Sequence, residues 1–215
     1  MSHDHDDFAA EPVRGLPEKL PPGEHILWQG QPDWWQLARE SLNFWWVAGY
    51  FTFLFAWRTI GGAATESWAD SATAASFFLV LGLIVCAILA MVALMQAKAA
   101  VYTITNKRVA MRIGAALTMT LNLPVKKIAN ANLGVRKNGT GTIALELMED
   151  DGARLSYILT WPHVRPWMVK QTQPALRCIP DARKVAAILS EAAETAVSEP
   201  VIERAPAARQ PVAAE

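Results

Sequence analysis

Cysteine is nearly absent from this chain. Cys86 and Cys178 are the only two in 215 residues, and they lie in segments of unlike character, so no disulfide framework is expected. Histidine is almost as scarce: His3, His5, His25 and His163, none of them inside an apolar run. No Cys/His group has the spacing of a structural zinc site. His3-Asp4-His5-Asp6-Asp7 reads as a solvated tail rather than a metal site. Also missing are a Gly-rich phosphate loop, a G-x-S-x-G elbow and an H-E-x-x-H pair. The carboxylate run Glu149-Asp150-Asp151 falls in an expected turn and reads as solvation. The common nucleotide-binding, serine-hydrolase and zinc-peptidase classes are therefore excluded. A non-enzymatic protein without cofactor or metal is expected, and nothing suggests nucleic acid as a partner. The opening MSHDHDDFAAEPVRGLPEKLPPGE is acidic and proline-bearing without an apolar centre, so no cleavable signal peptide is expected.

Net charge is absent too, but only on average: 20 basic residues balance 20 acidic ones. Residues 1–40 hold eight acids against three bases, whereas residues 98–184 hold fourteen bases and five acids. Such an asymmetry suggests an anionic surface or partner beside the second region.

What the chain has in plenty is apolar sequence. AASFFLVLGLIVCAILAMVALMQA, Ala74 to Ala97, carries no charge. As a helix it would be about 36 Å long, enough to cross a hydrocarbon core. LNFWWVAGYFTFLFAW, Leu42 to Trp57, is shorter, and reaches a span of about 42–60 if Arg58 snorkels outward. Trp45 and Trp46 at its start and Trp57 at its end, with Trp34 and Trp35 just before it, have the character of an interfacial belt. The alternative is a helix that lies on the surface or re-enters it. Arg14, Lys19 and Arg39 precede the first run, and Lys98, Lys107, Arg108 and Arg112 follow the second. The linker between them has Glu66 and Asp70 but no base. A transmembrane hairpin over 42–97 with both termini cytoplasmic follows from the positive-inside rule, Arg58 being the one contrary residue. Gly82 alone is too little to mark a helix-pairing motif.

Beyond Ala97 the period changes from helical to alternating. VYTITN, RVAMRI, ALTMTLNL, IANANLGVR, TIALELM and ARLSYILTW are strand candidates, separated by turn signals such as Asn106-Lys107, Gly114, Pro124 and Asn138-Gly139. Asn138-Gly139 suits a type I′ hairpin. IPDARKVAAILSEAAETA then reads as a helix capped by Asp181, with Val185, Ile188 and Leu189 on its apolar face. The expected organisation is an N-terminal segment (1–41), the hairpin (42–97), an α+β membrane protein's β domain with closing helix (98–192), and a disordered tail (193–215).

Two resemblances add to this. ILWQGQP (Ile26 to Pro32), then apolar runs, then YTITNKRVAMRIG is similar to the bacterial pleckstrin-homology-like (PH-like) membrane domains. That likeness implies a seven-stranded β-barrel capped by a C-terminal helix and is silent on activity. The opening FAAEPVRGLPEKLPPGEHILWQGQPDWWQLARE with WPHVRPW and PALRCIPDARKVAAIL resembles a family of photosynthetic-complex assembly proteins of purple bacteria. It implies a membrane-bound helper for the reaction centre and core antenna in the bacterial inner (intracytoplasmic) membrane. Reaction-centre and antenna subunits and membrane lipids are the implied partners. Antenna polypeptides hold bacteriochlorophyll through a buried His, and no His lies in the apolar runs, so this chain is not expected to be a pigment subunit.

Two groups of side chains stand out as candidate contacts. Trp161, His163, Arg165 and Trp167 lie in WPHVRPW, where tryptophan and arginine on a proline-stiffened loop are the residue types that anchor interfaces. The bland reading is that these rings fold back onto the domain or rest at the headgroups. Arg108, Arg112, Lys126, Lys127, Arg136 and Lys137 would form a basic face for a negatively charged leaflet or acidic client loops, or merely a solvated strand surface. Self-association through the spans is left open by the residue pattern.

Overall fold

A computed structural model describes residues 13–115, 117–148 and 155–198. The helical part comes first. Asp33 caps α1 (Trp34–Ser41) by accepting from the Gln36 amide at 2.8 Å. α2 (Phe44–Gly62) follows, then α3 (Trp68–Ala99). Ser67 caps α3 by accepting from the Asp70 amide, and Asp70 and Lys98 complement the dipole at its two ends. At 32 residues α3 is about 48 Å long. It is the one helix among the described residues that is long and apolar enough to cross a membrane.

Small residues let the helices approach. The buried positions of α3 are Ser71, Ala75, Gly82, Ala93 and Ala97. A Cβ on Gly82 would stand 2.6 Å from the Cβ of Phe51 on α2, and one on Gly62 would meet Ser71 at 2.7 Å. α2 therefore runs back along α3 in antiparallel contact, while Leu37 of α1 meets Ala97 near the far end of α3. Phe77, Leu83, Ile84 and Met91 of α3 point outward.

Two sheets follow, not the closed barrel that was expected. One has the order β1-β2-β3-β4 and the other β5-β6-β7. The first takes β1 (Ile26–Gly30) from before the helices and pairs it antiparallel with β2 (Val101–Thr105), which lies after them. The sheets thus reach outside the expected range of 98–192. β2 alternates as its sequence requires. Tyr102 and Ile104 face the core, while Thr103 and Thr105 are satisfied by Gln29 (2.9 Å) and Glu24 (2.8 Å). β3 (Arg108–Ile113), β4 (Met119–Pro124), β5 (Ile128–Val135) and β6 (Gly141–Leu147) match the strand candidates within a few residues. Val109, Met111, Leu121, Leu123, Ile143 and Leu145 fill the space between the sheets. α5 (Ala182–Ser198) closes it with Val185 and Leu189.

Four expectations change. ARLSYILTW forms no strand in its described part; Tyr157–Thr160 is the short helix α4. The seventh strand is instead β7 (Ala175–Ile179). α5 runs to Ser198, into the expected disordered tail, whose remainder lies outside the described residues. The β5–β6 turn is not type I′. Only Gly139 has positive φ (83°), the Gly139 amide donates to the Arg136 carbonyl at 3.0 Å and the Arg136 amide to Thr140 at 2.8 Å. That is a type I turn closed by a left-handed glycine. Asn138 prefers this geometry because its side chain accepts from the Thr140 amide at 3.2 Å.

Strand direction gives the β module two ends. Gly30, Tyr102, Val135, Gly141 and Ile179 lie at the end where the helices enter and leave. Thr105, Arg108, Pro124, Ile128 and Leu147 lie at the other, about 17–20 Å away along the strands.

Candidate functional site

The helix-side end is laced to the helices by a half-buried polar cluster centred on Glu40, in the last turn of α1. One carboxylate oxygen, Oε2, is paired with Arg136 at the end of β5, lies 3.6 Å from an Arg177 nitrogen, and accepts from the Cys178 thiol at 3.4 Å. A second Arg177 nitrogen donates to the Val164 carbonyl at 3.0 Å, and the Asp33 amide donates to the Cys178 carbonyl at 2.8 Å. One backbone feature makes this convergence work. Cys178 sits at φ 51°, and the β6–β7 register slips so that Gly141 faces Ile179 while Ile143 faces Leu176. The bulge turns consecutive residues Arg177 and Cys178 both toward Glu40, and leaves Leu176 and Ile179 both in the core. A non-glycine residue in the left-handed region is strained by roughly 1–2 kcal/mol, which the surrounding contacts offset.

Beside this cluster, the Tyr102 hydroxyl and His163 Nδ1 are 2.5 Å apart and fully buried. The Arg177 amide donates to the Tyr102 oxygen at 3.3 Å. The phenol proton is then directed to Nδ1, which places the ring proton of a neutral His163 on Nε2. Burial, then the Arg177 charge, pushes the His163 pKa down to about 3. Burial raises the Tyr102 phenol well above its usual range, only partly offset by the Arg177 amide. Burial and the adjacent Glu40 carboxylate push the Cys178 thiol up to about 12. A thiol held protonated is a poor nucleophile. His163 Nε2, Glu40 Oε1 and Arg177 Nε have no hydrogen-bond partner among the described residues. The arrangement is a joint between helices and sheets. Among the described residues, no group of three or more His, Cys, Asp or Glu is placed to hold a metal ion.

The residues of WPHVRPW do not act together. His163 is wholly buried and Trp161 is 39% exposed, while Trp167 is 91% exposed with φ 66°. Arg165 is clamped to Gln173 by a backbone bond of 2.9 Å and a side-chain bond of 3.1 Å. Val164 pairs with Pro174, and β7 continues from there toward the helices. The tip of this loop, with Trp167, therefore projects toward the opposite end of the module.

Nor do the six candidate cations form one face. Arg112, Arg136 and Lys137 are at the helix-side end. Arg108, Lys126 and Lys127 are at the far end, where Arg108 pairs with Glu24 at 2.9 Å. Trp35 packs edge-on against Phe44 and Trp45, which gathers Trp34, Trp35, Trp45 and Trp46 at the corner between α1 and α2. Trp57 lies toward the opposite end of α2, its ring tilted against that of Phe53. The expected contacts with lipid or client at all these residues remain proposals. His3, His5, Glu149, Asp150 and Asp151 lie outside the described residues.

Glu40, Tyr102, Arg177 and Cys178 were not singled out from sequence. One signal was available: an arginine in the middle of the apolar strand ALRCI, where an unpaired charge is rarely buried.

Two packed sheets closed by a C-terminal helix, joined within two residues to an apolar helix of membrane-spanning length, define a helix-borne β module of the PH type. Residues 54–193 match the family described as Bacterial PH domain, and the chain belongs to that family. It is also 45% identical over 209 residues, 94% of each chain, to a protein of the purple bacterium Rhodobacter capsulatus described as "Uncharacterized 23.7 kDa protein in puhA 5'region". No solved structure matches the chain.

Proposed function

We propose that this protein is a non-enzymatic, membrane-bound assembly factor of the PuhB type. Its clients would be the photosynthetic reaction centre and core light-harvesting complex. The observation that carries this reading is the 45% identity, spanning 94% of both chains, to a protein whose gene lies in the puhA 5′ region. Assembly proteins of the family this chain resembles are encoded beside the reaction-centre H subunit. The reading includes a two-span hairpin. β1 and β2 are hydrogen-bonded neighbours, so the helical excursion leaves and returns at one end of one sheet. If α3 crosses the bilayer, α2 is the segment that carries the chain across in the other direction, and the termini share the cytoplasmic side of the inner membrane.

The hairpin would bind client helices transiently, and the β module, held close to the membrane, would clasp their polar segments. Tethering to the same plane raises the effective concentration of module and client. Deletion of the gene tests the role: a strain lacking it should accumulate less core complex, and unchanged levels would refute the proposal. A generic lipid-binding or stress-sensing module is the second reading, favoured by the PH-type fold itself. Purification in mild detergent separates the two, because reaction-centre or antenna subunits should come with the chain in the first case and lipid alone in the second.

A further inference from the structure

The two edges of the second sheet are finished differently. β7 is covered: the Ala175 amide donates to the His163 carbonyl and the Arg165 amide to the Gln173 carbonyl, both at 2.9 Å. β5 is the other edge. The Arg136 amide donates to the Thr140 carbonyl at 2.8 Å and the Met148 amide to the Lys127 carbonyl at 2.9 Å. The alternation of an antiparallel ladder then turns Asn132 and Gly134 toward β6, and the N–H and C=O groups of Ala131, Leu133 and Val135 away from it. No strand pairs with that outer side among the described residues. Natural edges are blunted by charge, proline or bulges. Ile128–Val135 has no charge and no proline, and its one register shift, between Ile128 and Asn130, lies at the far end. Its side chains are uncovered too. Leu133 shares a face with its buried partner Ile143, yet is itself 41% exposed. Ala131, opposite Leu145 on the same face, is exposed as well. An unpaired edge beside an apolar shelf suits an added strand, which takes backbone bonds from the one and seats alternate side chains on the other.

Direction chooses the occupant. β5 runs from the far end of the module to the helix-side end. Antiparallel pairing with β5 of a second copy would point the helices of the two copies in opposite directions, which one membrane does not allow. A chain that leaves the membrane after a transmembrane helix runs outward from the helix-side end and meets β5 antiparallel, the more stable pairing. Lys126 and Lys137, just beyond the two ends of the strand, are exposed and complementary to acids at the ends of an added one. We infer that β5 is an acceptor edge for strand addition. The strand it takes is the extended segment that follows a transmembrane helix in another membrane polypeptide, matching the eight residues of β5, uncharged along its length and bounded by acidic residues. The open edge stands on register alone; the occupant rests on the membrane placement and client role proposed above.

The probe is a blocked peptide, Glu-Glu-Ser-Val-Thr-Val-Thr-Val-Ser-Glu-Glu, titrated into the full-length chain in detergent and followed at the Ala131, Leu133 and Val135 amides by nuclear magnetic resonance. These amides should shift saturably. The same peptide N-methylated at every residue between its acids keeps its side chains but loses those N–H groups, and should not bind. Leu133→Pro removes an outward N–H while sparing the β5–β6 ladder, and should weaken binding tenfold or more. Lys126→Glu/Lys137→Glu should weaken it similarly and tighten binding of a lysine-ended counterpart. Equal binding of the N-methylated peptide, or no saturable shift with the parent peptide, would overturn the acceptor edge. Near-complete disulfide formation between Leu133→Cys chains in membranes would give the edge to a second copy and overturn the occupant. The client role fails separately, if deletion of the gene leaves core-complex levels unchanged. A deletion strain fully restored by the Leu133→Pro chain would keep that role and sink the edge as its contact.

Discussion

The two ends of the β module are made from the same strands and finished in opposite ways. At the helix-side end one carboxylate, Glu40, gathers Arg136, Arg177 and the Cys178 thiol, and Tyr102 locks His163 beneath them. At the far end a buried Glu24 holds the partly exposed Arg108, Asn106 ties the turn to Gly23 and His25, and Trp167 stands in the open. The first end is built to hold still against the helices. The second holds its own turn and leaves an aromatic residue uncovered. A module that reports on or grips something beside a membrane needs both, because a loosely hinged domain would lose the orientation that makes an exposed contact useful.

The largest expected effect breaks the first end. Glu40→Ala leaves Arg177, only 5% exposed, without its counter-charge. Loss of one partner of a buried pair costs about 3–5 kcal/mol, and the partial exposure of Glu40 and Arg136 puts this case at the lower figure. Glu24→Ala should cost less, about 1–2 kcal/mol: the Glu24 side chain is itself only 3% exposed, but the Arg108 it leaves behind is 27% exposed and reaches water, and the Thr105 hydroxyl can turn to the Arg108 carbonyl. Equilibrium unfolding of the two variants in detergent decides it. Equal losses would mean that the two ends do not differ in kind.

Acid should find the same end next. His163 is held neutral in the fold, with its pKa pushed down to about 3, whereas an unfolded histidine titrates near 6.5. Between those values the unfolded chain binds the extra proton. The stability contributed by the neutral ring is complete above pH 6.5 and declines as pH falls, by about 1.4 kcal/mol per pH unit, until about pH 3. A plot of unfolding free energy against pH should show this slope, and His163→Gln should flatten it. At the alkaline side the Cys178 thiol acts in the opposite sense, since stability is lost as pH rises from 9 toward about 12. Tyr102→Phe, which strands Nδ1 of a buried ring, should cost about 1–3 kcal/mol at neutral pH.

Much of this architecture could be read from the chain, and the failures share a cause. β2 through β6 were legible because apolar and polar residues alternate between turn residues that break the pattern. β7 was not, because ALRCI carries a bulge that spoils the alternation at the residues that matter. β1 was missed because its partner lies beyond two long helices, and local pattern says nothing of so distant a neighbour. ARLSYILTW alternates convincingly, yet Tyr157–Thr160 turns into a helix, a choice made by packing rather than by period. The joint at Glu40 was invisible for the same reason as β1: Cys178 is 138 residues away. WPHVRPW could be noticed as odd, but only strand register reveals that its histidine is structural while its second tryptophan leaves toward the far end.

A smaller effect sharpens the comparison from the helical side. Gly82→Val would drive a side chain into Phe51 and separate α2 from α3, at about 1–3 kcal/mol. A disulfide engineered between the two helices should form more slowly in that variant, whereas the β module's unfolding should hardly change. If both weaken together, the helices and sheets are one cooperative unit and the joint transmits more than it isolates.

The smallest effect on stability carries the most functional weight. Trp167 is 91% exposed, so Trp167→Ala removes little buried area and should change folding by no more than about 0.5 kcal/mol. Its φ of 66° is no easier for alanine, so backbone strain does not reward the substitution. Tryptophan is nevertheless a residue type whose truncation at interfaces commonly costs 2 kcal/mol or more, and each 1.4 kcal/mol is tenfold in affinity. If the far end contacts a client, capture of reaction-centre or antenna subunits in detergent should fall at least tenfold in Trp167→Ala, with the unfolding curve superimposed on that of the parent. Capture that survives this change but fails in Glu40→Ala would assign the contact to the joint or the helices, and the far end would then be an ordinary solvated rim.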